Sequence, residues 1–165
     1  MRRKSRLWQT DPMSEISRIA DQLQLAFEGE AWHGPAVLEI LTDVDARTAA
    51  ARPIAKAHTI WELVLHVAGW ENIIRRRLGG EALMPTDAEN FPSVKDTSEA
   101  AWKKTVDSLK QTHEQLLKTV RAMPESRLSE RVPGKNYDNY HMLHGAVQHA
   151  LYHAGQMAVL KRAAE

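Results

Sequence analysis

The sequence predicts an all-α fold, a four-helix bundle, and three observations support that prediction. Four segments repeat apolar residues at the three- and four-residue spacing of a helix. Two long connections that contain proline separate the last three of these segments. No segment shows the strict alternation of apolar and polar residues that is typical of a strand. Long helices joined in this way favour a bundle.

The first helix follows an irregular, charged start. We expect residues 1–11 to be a flexible N-terminal arm and residues 12–165 to be a single domain. Asp11 and Pro12 supply an N-cap and a first-turn proline. Apolar residues then recur at helical spacing at Ile16, Ile19, Leu23 and Phe27.

The second helix has the clearest start signal. Thr59 and Glu62 match a capping box, in which each side chain accepts from the backbone N–H of the other residue. The helix then runs to Gly79, with apolar residues around much of its circumference and His66 at its centre. We therefore expect it to be the most buried helix.

Residues 81–95 contain two prolines and little periodicity, so they predict a long loop. A cap signal at Asp96 and Glu99 begins the third helix, which Pro124 ends. Its apolar stripe includes His113. The fourth helix begins at Asn136 or Asp138 and runs to about residue 161.

Composition excludes several classes of function. Lys plus Arg total 22 and Asp plus Glu total 21, so the net charge of +1 gives no reason to expect nucleic acid as a partner. The chain has no cysteine, which excludes disulfides, thiolate ligands and a cysteine nucleophile. We expect no membrane span and no signal peptide, hence a cytoplasmic protein.

The segment QHALYHAGQM places His149 and His153 four residues apart on the last helix. Residues four apart on a helix are separated by roughly 40° beyond a full turn, so both rings project from the same apolar face. A lone core histidine is easily satisfied by a backbone carbonyl. Two on one face, together with the buried His66, favour a shared metal ion, because an unpaired buried polar group costs roughly 1–3 kcal/mol.

Three imidazoles would leave one coordination position for water or substrate. Imidazole ligands suit zinc, nickel, iron or copper. We expect a divalent ion, zinc or nickel first, with iron or manganese as further candidates. Four residues are predicted to line the pocket beside it, namely Trp70, Met142, Gln156 and His113.

The segments AWHGPAVLEI, AHTIWELVLHVAGWE and LHGAVQHALYHAGQMAVLKR, in this order, resemble the DinB/YfiT-like superfamily of metal-dependent enzymes. The resemblance covers nearly the whole chain after the first dozen residues. It implies a four-helix bundle with an up-down-down-up course, which is often a homodimer. It also implies a divalent metal held by His66, His149 and His153.

Relatives in that superfamily include thiol S-transferases that use bacillithiol or mycothiol, and a thiol-dependent maleylpyruvate isomerase. The resemblance therefore implies an enzyme that transfers a low-molecular-weight thiol to a small electrophile. The absence of cysteine fits a nucleophile that arrives from outside. Two alternatives stay open: a hydrolase that uses metal-bound water, and a non-catalytic bundle that binds metal or a partner.

Overall fold

The computed structural model describes residues 13–164, in which every regular element is a helix and no strand occurs. The all-α prediction is confirmed. The four long helices are α1 (Glu15–Glu28), α4 (Ile60–Leu78), α6 (Glu99–Ala122) and α7 (Asn139–Ala164). The short helices are α2 (Val37–Leu41), α3 (Ala46–Ala50), α5 (Asp87–Asn90) and a 3-10 helix, Glu125–Ser129. The predicted arm and the Asp11-Pro12 cap lie outside the described residues.

The long helices pack around a shared interior. Helix α4 packs against both α6 and α7, and α1 packs against the same two helices. Buried apolar side chains form one cluster around α4, α6 and α7, and a second cluster between α1 and the neighbouring parts of the other three helices. The up-down-down-up course stays a prediction. Within residues 13–164, no helix combines the length and the apolar character that crossing a bilayer requires.

The start of α4 is held as the sequence predicts. The Thr59 hydroxyl accepts from the Glu62 N–H at 3.1 Å, and the Glu62 carboxylate accepts from the Thr59 N–H at 2.8 Å. The capping box is therefore confirmed. It fixes where the helix begins and, about two turns after Thr59, the direction in which His66 projects.

Two predicted helix starts differ from the structure. Ser14 caps α1, since its hydroxyl accepts from the Ser17 N–H at 3.2 Å. Ser98, not Asp96, caps α6 by accepting from Ala101 N–H, while the Asp96 carboxylate accepts from Ser98 N–H at 2.9 Å. Asp96 thus closes a turn ahead of the cap.

The predicted loop over residues 81–95 contains one short helix. This is the single turn of α5, which a second capping box begins. The Thr86 hydroxyl accepts from Glu89 N–H at 3.3 Å, and the Glu89 carboxylate accepts from Thr86 N–H at 2.8 Å. Local capping makes a turn helical here although the segment lacks apolar periodicity.

Candidate metal centre

Helices α4 and α7 bring His66, His149 and His153 together inside the protein. One ring nitrogen from each lies within 4.8 Å of one from each of the others. The Nε2 atoms of His66 and His149 are 3.0 Å apart. His66 and His153 are each only 6% exposed, and His149 is half-buried. The cluster is therefore a shielded group of three nitrogen donors.

Hydrogen bonds outside the cluster orient two of the three rings. His66 Nδ1 lies 2.7 Å from the Asn90 carbonyl oxygen, and His153 Nδ1 lies 2.6 Å from Gln156 Oε1. A carbonyl oxygen only accepts, so each Nδ1 carries the proton and donates it. The Nε2 atoms of His66 and His153 are then unprotonated, and each has the lone pair that a metal ligand requires.

The surroundings favour the neutral form of each ring. Burial, reinforced by the neighbouring His153 and His66, lowers the pKa of His149 from 6.5 to about 3. Burial is also the main cause that lowers the pKa of His66 and of His153, against the hydrogen bonds that these rings donate to Asn90 and Gln156, which raise it. At neutral pH the cluster therefore offers unprotonated nitrogens.

These residues fit a divalent cation. Two nitrogens that each bind zinc at about 2.0–2.1 Å with tetrahedral geometry lie roughly 3.3 Å apart. The 3.0 Å separation of the His66 and His149 Nε2 atoms is close to that value. Ring nitrogens of all three histidines lie within 4.8 Å of one another, so small side-chain movements would bring them to the spacing of zinc ligands. A donor set of neutral imidazoles is compatible with several divalent metals.

Helix α5 and the residue after it support His66. Trp70 Nε1 donates to Asn90 Oδ1 at 2.8 Å, which anchors the residue whose carbonyl accepts from His66. The Phe91 ring stacks on His66 at 4.2 Å between centroids, and His58 stacks on Phe91 at 3.7 Å. Phe91 thus lies between the two imidazoles and covers one side of the cluster.

Asn90, Phe91 and His58 have site roles that the sequence analysis missed. The Asn90 contact uses a backbone oxygen, which has no sequence signature, and the Phe91 stack depends on the path of the connection. One signal was present, because Thr86 and Glu89 form a capping box in the segment TDAE. That motif predicts a fixed turn just before Asn90.

A cavity of about 520 Å³ lies between α7 and the segment that precedes α4. Two of its lining residues connect it to the cluster. Gln156 accepts a hydrogen bond from His153, and His58 stacks on Phe91, which in turn stacks on His66. A second depression of about 500 Å³ lies on the surface between α1 and α6. None of the three clustered histidines lines either depression, but Gln156 and His58 connect the first one to the cluster. The first cavity is the candidate substrate pocket.

The structure places the four predicted pocket residues differently. Gln156 lines the cavity, and the Trp70 ring lies 6.0 Å from that of His149. Met142 packs in the cluster around α1. His113 is 1% exposed, and its Nδ1 lies 2.8 Å from the carboxylate of Glu71. Of the four, Gln156 lines the 520 Å³ cavity, and Trp70, Met142 and His113 do not.

Comparison with known proteins identifies a family. Residues 31–157 match the model of the DinB superfamily. This match covers 127 of the 165 residues and includes all three clustered histidines. No curated protein and no solved structure gives a significant match.

Proposed function

The chain belongs to the DinB superfamily, and from this premise we propose that it is a divalent-metal-dependent enzyme that transfers a low-molecular-weight thiol to a small electrophile. The observation that carries the proposal is the convergence of three neutral imidazoles in a shielded interior beside a cavity. We further propose zinc or nickel as the metal, with iron or manganese as alternatives. A homodimer in the cytoplasm, with the up-down-down-up course, completes the proposal.

The protein's own residues divide the work between holding and shielding. His66, His149 and His153 would hold the ion through ring nitrogens. The Asn90 carbonyl and the Gln156 amide oxygen fix the rings of His66 and His153, so little reorganisation is needed on binding. An ion held there supplies positive charge that lowers the pKa of a thiol and polarises an electrophile.

The thiol must come from solution, because the chain has no cysteine. In the transfer, the sulfur forms a bond to the electrophilic carbon, and the thiol proton passes to solvent. Either the bond from that carbon to a leaving group breaks, or a double bond of the electrophile opens and takes up a proton from solvent. The cavity walls would hold the apolar part of the substrate, and Phe91 excludes water from the His66 side.

Thiol consumption tests the proposal directly. Protein is depleted of metal, reloaded with zinc or nickel, and incubated with monochlorobimane and each of several cellular thiols. We expect fluorescence to rise faster than in the uncatalysed reaction only when metal, thiol and protein are all present, because the bound ion favours the thiolate, which is the nucleophile. His149→Ala should reduce the rate to background. His141→Ala is the matched control, since His141 is exposed on the same helix and lies outside the cluster.

Two results would contradict thiol transfer. One is a rate with metal-loaded protein that never exceeds the uncatalysed reaction for any thiol. The other is hydrolysis of esters without thiol, abolished by His149→Ala, which would identify a hydrolase at the same site.

A further inference from the structure

The walls of the cavity beside the cluster are mostly apolar. The aliphatic and aromatic side chains that line it are Ile54, Ala57, Leu63, Tyr152, Val159 and Leu160, and Gln156 is the uncharged polar one. Three of these, Ile54, Tyr152 and Val159, are 44%, 66% and 58% exposed. Exposed apolar residues that cluster around one opening indicate a binding site, whereas apolar residues exposed singly do not.

The charge of the cavity is of one sign. Lys56 and His58 are its basic lining residues, and no carboxylate lines it. His58 Nδ1 lies 3.3 Å from the Glu62 carboxylate, which also accepts from Arg52 at 2.8 Å and from the Thr59 N–H at 2.8 Å. Within residues 13–164, Lys56 has no ion-pair partner. Its positive charge is therefore uncompensated at the rim.

From these two features we propose that the cavity binds a small amphiphilic anion, with its apolar body against α7 and its acidic group at Lys56. The volume of about 520 Å³ lies within the range of small-molecule sites. The inference rests on the proposed function, for which it names the substrate class. Gln156 and the stacked rings of His58 and Phe91 place this ligand next to the histidine cluster.

A glycine in the cavity wall allows the site to be filled without strain. A Cβ atom added at Gly155 meets no atom within 4 Å, and the residue lies inside α7. Gly145 has the same two properties but does not line the cavity. Gly155→Phe should therefore occupy the cavity, while Gly145→Phe is a matched control on the same helix.

Two fluorescent probes that differ by one charge test the proposal in metal-free protein. The anion is 8-anilinonaphthalene-1-sulfonate, and its uncharged counterpart is N-phenyl-1-naphthylamine. We expect Lys56→Glu to raise the Kd of the anion about fivefold, because the lost contact contributes roughly as much as one exposed ion pair. The Kd of the neutral probe should change by less than about twofold. Lys110→Glu, at an exposed lysine of α6, should change neither Kd.

Filling the cavity gives the second readout. We expect Gly155→Phe to raise the Kd of both probes at least about tenfold, since their aromatic bodies lose the space they occupy, whereas Gly145→Phe leaves both unchanged. Circular dichroism confirms that each variant is folded. If Gly155→Phe does not fold, the Lys56→Glu result still decides the proposal.

Three outcomes would overturn the inference. The two glycine substitutions could change the Kd of the probes equally, Lys56→Glu could leave the Kd of the anion unchanged, or the wild-type protein could bind the neutral probe more tightly than the anion. Sedimentation velocity adds one more, because a dimer that Gly155→Phe converts to a monomer would show that a second copy covers this face. These titrations use neither metal nor thiol. If the probes do not bind as expected, the proposed thiol transfer can still be tested by its own assay. If thiol transfer is refuted, the probe titrations still decide whether the cavity binds a small amphiphilic anion.

Discussion

The hydrogen bond between His153 and Gln156 gives a quantitative prediction for metal affinity. Gln156 Oε1 lies 2.6 Å from His153 Nδ1, and Gln156 is half-buried. When His153 binds a cation, its N–H becomes a stronger donor, and a hydrogen bond to such a charged group contributes about 1.5–3 kcal/mol. Gln156→Met keeps the size of the side chain but removes the acceptor. We expect the Kd for zinc to rise about 10- to 100-fold.

The assay is a competition between the protein and a chromophoric zinc chelator. Gln156→Glu should bind zinc at least as tightly as the wild type, because a carboxylate accepts more strongly than an amide. Gln148→Met is the matched control, since Gln148 is exposed on the same helix. An unchanged Kd in Gln156→Met, or equal weakening by Gln148→Met, would refute the proposal that this amide positions a metal ligand.

Three further predictions follow from the same structure. The pKa of His149 is about 3 in the folded protein and 6.5 ordinarily, so the unfolded chain binds more protons between these pH values. The free energy of unfolding of the metal-free protein should therefore fall by up to about 5 kcal/mol as pH drops from 6.5 towards 3. Urea titrations should show a smaller fall for His149→Gln. His113→Ala leaves the Glu71 carboxyl buried without its partner and should lower the free energy of unfolding by about 3–5 kcal/mol, whereas the double change Glu71→Leu with His113→Leu should restore most of it. Trp70→Phe removes the donor to Asn90 Oδ1 and should raise the Kd for zinc less than Gln156→Met does, since it acts through one more residue.

Helical periodicity explains why the three histidines could be identified from the sequence. The spacing of His149 and His153 fixes their common face once the helix is granted, and α7 is helical from Asn139 to Ala164. His66 could be placed in a buried helix because its capping box and apolar neighbours agree. Which nitrogen of each ring faces inward could not be predicted, because that depends on acceptors such as the Asn90 carbonyl.

His113 shows a different limit of sequence patterns. Its apolar stripe correctly implied burial, and its side chain stacks on Phe27 at 3.8 Å between centroids. Its partner, Glu71, lies on another helix, 42 residues away, and nothing in the local sequence links them. Periodicity tells which residues face inward, but not which polar groups meet there.

Anomalous diffraction from crystals grown with zinc tests the central claim most directly. The account predicts one peak per chain at about 2.0–2.1 Å from a ring nitrogen of each of His66, His149 and His153, and loss of that peak in His149→Ala. A fully formed cluster without a peak, or a peak held by other residues while these three rings keep their present positions, would contradict it.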